Sequence, residues 1–162
     1  MKDLLIRILD YGHRWYGRSF QGAHRLEKIR MVSLRAPIIE AIALYGEPVE
    51  KRRSEEFPEV TEYIFNVGPH HDAVIYEWEG AMHVVTYWSE QADPGRDLRQ
   101  MMTHFGEGQT WEDLTEGYLY LRKDSEVQLW CSATPAIGVG TREYQEAETA
   151  YRQRGLLRVV AG

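Results

Sequence analysis

With 162 residues, 43% apolar and 27% charged, the chain has the composition of an ordinary globular protein, which excludes wholesale disorder and lets a single domain (1–162) bury a core without disulfides or metal. A single cysteine, Cys131, excludes an internal disulfide and a cysteine-rich zinc site and suits a reducing cytoplasm. No apolar run reaches the roughly 18 residues of a spanning helix, and the charged start Met1-Lys2-Asp3 does not read as a secretory leader, so a soluble protein is expected.

The net charge of -6 is uneven. Residues 1–35 carry Lys2, Arg7, Arg14, Arg18, Arg25, Lys28, Arg30 and Arg35 against Asp3, Asp10 and Glu27, whereas the remainder is strongly acidic. A basic arm can serve nucleic acid or an anionic surface, but opposite charges in one chain meet at high effective concentration. The arm is therefore expected to lie against its own acidic body, and nucleic acid is not the partner expected. Lys51-Arg52-Arg53 runs straight into Ser54-Glu55-Glu56 and reads as a solvated loop.

In chain order, Leu4, Leu5, Ile8 and Leu9, with Tyr11 and Trp15, predict an amphipathic helix over 3–16, interrupted near Gly12. Leu26, Ile29 and Val32 predict a second over 24–32, completing an N-terminal helical segment 1–32. A third helix is expected with Ser33 as its cap, Pro37 in its first turn and Ile38, Ile42 and Tyr45 as its buried stripe. Gly46 and Pro48 end it. After a charged loop over 49–59 the period changes to two, with Tyr63, Phe65 and Val67 on one face of a strand over 61–67. Gly68-Pro69-His70-His71-Asp72 is a turn by composition, and strands 73–79 and 82–89 follow around Gly80. Asp93-Pro94 opens a helix with Leu98, Met101, Met102 and Phe105 on its apolar face and Gly106 as its stop. Strands are expected over 117–123 and 126–134, with a weaker one over 136–144 because of Gly138 and Gly140. Tyr144, Ala147 and Tyr151 give 143–154 a helical pattern, with Gly155 as its stop.

Two halves, 33–92 and 93–145, repeat this order of signals, followed by a tail over 146–162. Each has a helix ending in Gly-Glu, at Leu44-Tyr45-Gly46-Glu47 and His104-Phe105-Gly106-Glu107, then a polar loop and a strand opening with Tyr63 or Tyr118. The fold expected is α+β: N-terminal helices, then two tandem units of one helix and a three-stranded antiparallel sheet, both helices on one face of a shared sheet. The helix stop Leu44-Tyr45-Gly46-Glu47-Pro48, followed by a meander rich in Tyr and Trp, resembles the repeat of the β-lactamase inhibitor protein and of small outer-membrane assembly lipoproteins. The resemblance spans about residues 33–145 and implies that tandem fold. Gly108 stands where the first unit has Pro48, and the lipid-bearing cysteine of those lipoproteins has no counterpart.

Phosphate loops, His-Glu-x-x-His and Gly-x-Ser-x-Gly are absent from the sequence. His70-His71-Asp72, with Glu79 and His83 nearby, has the residue types of a divalent-metal or enzymatic site, but a hairpin puts the two groups at opposite ends, and turn composition accounts for the first. Neither metal nor cofactor is expected. Cys131 reads as a buried thiol rather than a nucleophile activated by His104. The stronger signal is aromatic: Tyr63, Phe65, Tyr76, Trp78, Tyr87, Trp88, Tyr118, Tyr120 and Trp130 all fall in strands. Neighbours such as Tyr87 and Trp88 must face opposite sides of the sheet, so both faces carry aromatics. The second face is either open, the chemistry of a protein-binding surface, or covered by the N-terminal helices. A non-catalytic module binding or inhibiting another protein is the leading expectation; an enzyme using the His70-His71-Asp72 turn is the alternative.

Overall fold

The computed structural model describes residues 29–68, 71–88, 94–115, 119–131 and 136–160. The helix expected over 3–16 lies outside them, as do 24–28. Residues 29–32, the end of the second expected helix, are not helical.

The described residues form one eight-stranded antiparallel sheet and three helices. In chain order these are α1 (Ile38–Tyr45), β1 (Glu50–Arg53), β2 (Thr61–Gly68), β3 (His71–Trp78), β4 (Ala81–Trp88), α2 (Pro94–Gly106), β5 (Trp111–Thr115), β6 (Leu119–Arg122), β7 (Val127–Cys131), β8 (Ala136–Thr141) and α3 (Arg142–Val160). The strand order is β1-β2-β3-β4-β8-β7-β6-β5. Two meanders thus meet at the β4–β8 pair, where Val85 faces Val139 and Tyr87 faces Ile137.

The sheet is larger than the expected three strands per unit. β1 comes from the charged segment Glu50-Lys51-Arg52-Arg53 and β5 from Trp111–Thr115, each an outer strand with one neighbour. An outer strand needs no apolar alternation, and charge on it discourages pairing with other chains. A bulge between Asp113 and Thr115 interrupts β5 as well.

Alternation along each strand sorts side chains into two cores. Tyr63, Phe65, Ala73, Ile75, Val85, Tyr87, Leu129, Ile137 and Val139 pack with Ala41 of α1 and with Leu98 and Met101 of α2. The helices ending at Gly46 and Gly106 therefore do share one face. On the other face Tyr76, Val84, Leu119, Trp130 and Ala136 pack with Tyr144 of α3 and with Phe57 and Val60 of the β1–β2 connection.

α1 starts after Pro37, later than expected, and Ser33 is not its cap: the Ser33 backbone N–H instead donates to Glu40 Oε1 at 2.9 Å. Gly46 ends α1 at φ +84°, its N–H donating to the Ile42 carbonyl. In the second half the left-handed residue is Gly108, at φ +76°, rather than Gly106, which ends the helix under the Trp111 indole. The entering segment is held by phenols. The Tyr45 hydroxyl donates to the Arg30 carbonyl and lies 2.9 Å from the Tyr87 hydroxyl, and His104 Nε2 meets the Val32 carbonyl at 3.2 Å.

β8, expected to be weak, is central and buried along all six residues. Its glycines make room for Trp130 on β7, whose indole lies across Gly138 and Gly140. α3 begins directly at Arg142 and runs through Gly155 to Val160, so Gly155 is no stop and residues 146–160 belong to a helix rather than a tail.

Candidate functional site

The aromatics singled out from sequence divide as alternation requires. Tyr63, Phe65, Tyr87 and Tyr120 belong to the core under α1 and α2, and Tyr76, Trp78, Trp88 and Trp130 to the core under α3. Tyr118 lies outside the described residues. Tyr63, Phe65, Tyr76, Tyr87 and Trp130 are each at most 7% exposed; Trp78, Trp88 and Tyr120 are half-buried. The second face is therefore covered, and the cover among the described residues comes from α3 together with Phe57 and Val60 of the β1–β2 connection. Phe57 and Tyr151 sit ring to ring at 5.1 Å, and Tyr144 reaches Phe57, Tyr76 and Trp78 at 6.0 to 6.2 Å.

The histidine candidates lie at opposite ends of the β3–β4 hairpin, as expected, but His71 and Asp72 stand in β3 rather than in a turn. Asp72 faces Trp88 at one end of the β3–β4 ladder, and Trp78 faces Ala81 at the other, about 20 Å away at strand rise. His71 is a buried β3 residue; His70 lies outside the described residues. Among the described residues no three His, Cys, Asp or Glu side chains converge as metal ligands. Cys131 ends β7, its side chain outside the described set, while His104 is engaged with Val32 and edge-on to Phe105 at 4.6 Å.

A different polar cluster forms where β4, β8, the entering segment and the first turn of α3 meet. His83 is 7% exposed, its Nδ1 2.7 Å from Thr141 Oγ1 and 3.7 Å from Glu143 Oε1. Arg35 grips the same carboxylate with Nε at 2.8 Å and Nη2 at 3.1 Å, and Nη2 also donates to the Glu126 carbonyl at 3.4 Å. Trp78 stands edge-on to the imidazole at 5.2 Å and Tyr144 stacks at 6.4 Å. Burial pushes the His83 pKa below its ordinary value, against the pull of Glu143, and Arg35 adds to the depression. Burial acts to raise the Glu143 carboxyl, but the hydrogen bond and charge of Arg35 hold it below the usual carboxylate range. The bond to Glu143 raises Arg35 in turn. His83 and Trp78 stood out in the sequence, but the pairing of Arg35 with Glu143 did not, because the two are 108 positions apart.

Beside this cluster, on the face covered by α3, a cleft of about 370 Å³ runs between that helix and β7. It is lined by Gln128 of β7 and by Arg142, Gln145, Glu146, Thr149 and Gln153 of α3. Spacings of three and four put the helical residues on one stripe. Arg142 and Glu146 close an ion pair at 2.8 Å, and the Gln145 Nε2 is buried with no hydrogen-bond partner. Gln145 lies over Gly140, where an added Cβ would stand 3.2 Å from that Nε2.

No known family and no curated protein matches the chain. Among solved structures it is similar to a cysteine-rich secretory protein from Staphylococcus aureus, at 9% identity and a TM-score of 0.43, covering 68% of this chain and 45% of that one. The chain thus spans under half the length of that protein. Among the described residues no helix is long and apolar enough to cross a membrane.

Proposed function

We propose that this chain is a non-catalytic module that binds another protein, and that an extended peptide segment of the partner enters the cleft between α3 and β7. The observation that carries the reading is the Gln145 amide: its Nε2 is buried without an acceptor. A buried donor left unmade costs about 1–3 kcal/mol, and Nε2 faces Gly140 rather than open space, so an incoming carbonyl oxygen recovers that cost when the Gln145 amide turns toward the cleft. Peptide backbone suits the lining, since Gln128, Gln145 and Gln153 each offer the donor and acceptor of an amide, as main chain does. A volume near 370 Å³ is at the small end for ligand sites and fits a few residues of extended chain. The aromatic residues act in this reading as the packed support beneath the site, not as its contact surface.

The tandem reading belongs to the same proposal. Each half is a helix followed by a four-stranded meander, and the strand order reads 1-2-3-4 inward from one edge and 5-6-7-8 inward from the other. That pattern supports duplication of one unit and keeps the likeness to the β-lactamase inhibitor repeat as a working expectation. A reducing, cytoplasmic setting, suited by the single cysteine, is part of the proposal too.

The test is selection of a displayed random-peptide library on the whole chain, repeated on Gln145→Leu and Gln128→Leu. Peptides retained by the parent and lost from Gln145→Leu support the reading. Peptides retained equally by both variants, or none retained by the parent, refute it.

A further inference from the structure

We propose that His83, Glu143 and Arg35 form a proton-operated latch that fastens the segment over 33–36 to the first turn of α3 at neutral pH and releases it in acid. This stands independently of the peptide-binding reading. The geometry is a competition for one carboxylate: Glu143 receives two bonds from Arg35 while the His83 Nδ1 waits 3.7 Å from Oε1, just outside hydrogen-bond reach. In the neutral imidazole, with the proton on Nε2, Nδ1 accepts the Thr141 hydroxyl at 2.7 Å and leaves Glu143 to Arg35.

Uptake of a proton from solvent turns Nδ1 into a donor. The Thr141 hydroxyl then has to rotate, and the nearest anion is Glu143. Drawn toward the imidazolium, the carboxylate gives up Arg35, which the new positive charge also repels. The groups facing His83 are Glu143 and Tyr144 from α3, Arg35 from the entering segment, Glu79 from the β3–β4 turn, Thr141 from β8 and Trp78 from β3. Glu126 and Asp124 of the β6–β7 turn act on Arg35 from its other side. Glu143 and Glu79 favour the proton, while burial and Arg35 oppose it more strongly. The latch is therefore closed at neutral pH and opens only in acid.

What it releases is strained. Arg35 sits at φ +64°, a left-handed conformation that a side chain with a Cβ adopts at a cost. It is kept there by two backbone bonds at 2.8 Å, from Arg35 N–H to the Met82 carbonyl and from Met82 N–H to the Ala36 carbonyl, besides the guanidinium. Removing the guanidinium anchor leaves those two bonds to hold the turn alone.

The experiment is an NMR titration of the full chain from about pH 8 to about pH 4, following the His83 ring signals and hydrogen exchange at the Arg35 and Met82 amides, each rate taken relative to that of an unprotected amide at the same pH. The expected midpoint for His83 is below its ordinary 6.5, and exchange at both amides rises on the order of tenfold through that midpoint, while Val85 and Val139 in the sheet stay protected. His83→Gln removes the step, and Glu143→Gln gives fast exchange at Arg35 throughout. A midpoint at or above 6.5, unchanged exchange at Arg35 and Met82 across it, or a step that persists in His83→Gln overturns the proposal. Should His83→Gln not fold, the coincidence of the two midpoints in the parent and the behaviour of Glu143→Gln decide.

Discussion

Replacing Gly138 by alanine tests the packing that makes β8 a central strand. A Cβ built at Gly138 would stand 2.2 Å from Cε2, 2.3 Å from Cζ2 and 2.4 Å from Nε1 of the Trp130 indole. Ordinary carbon contacts lie near 3.5 Å, so the ring has to retreat by roughly 1.3 Å. Trp130 is 3% exposed in a cluster with Val84, Leu119, Ala136 and Tyr144, and nothing there can yield that distance without a neighbour leaving its rotamer. Overpacking of this kind costs about 3 kcal/mol, the upper part of its usual range, equivalent to about 10 °C in melting temperature for a chain of this size. Gly140 is the internal control. There the new Cβ meets Trp130 and Gln145 at 3.2 Å, which neighbours absorb by a few tenths of an ångström, so Gly140→Ala costs under about 1 kcal/mol. Urea denaturation of both variants, and of each in a Trp130→Leu background, separates the clash from any other effect: the shorter side chain is expected to erase most of the Gly138→Ala penalty. Away from a clash alanine is favoured over glycine in a strand by about 0.5–1 kcal/mol. A Gly138→Ala protein as stable as the parent, or more so, refutes the argument.

Tyr144→Ala removes the ring that joins α3 to Phe57, Tyr76, Trp78 and His83, and is expected to lower stability by about 4 kcal/mol in the same denaturation assay; a loss under about 1 kcal/mol would mean that α3 does not close the second core. Alkaline behaviour follows from the buried phenols. Burial raises Tyr45 from 10.0 to about 12 and Tyr87 well above 10.0, so each stabilises the fold below its unfolded value and loses that contribution as pH rises toward the folded one. Melting temperature should fall once pH exceeds 10 and phenolate absorbance should rise late; Tyr45→Phe should flatten the first, and an unshifted Tyr45 titration would contradict it.

α1, β2 to β4, α2 and β7 were legible in the sequence because the period of apolar and aromatic residues records the element, although β4 is buried on both sides between the two cores. Gly46 was legible for the same local reason, a left-handed stop that glycine alone takes freely. The strands β1 and β5 were not, since Glu50-Lys51-Arg52-Arg53 and Trp111–Thr115 are outer strands, whose charge keeps them from pairing further rather than packing them inward. Gly138 and Gly140 read as weakness because a glycine's cost is local, whereas the indole that fills their space comes from the neighbouring strand. Gly155 read as a stop for the same reason, yet α3 continues through it. Strand alternation alone determined that the aromatics occupy both faces. Only the tertiary structure decided that α3 covers the second face, because an amphipathic pattern names the side to be buried and not the partner that buries it. The same holds for the polar cluster: His83 is visible as a histidine in a strand, but the carboxylate and guanidinium that set its charge reach it from positions 143 and 35, which no local pattern connects.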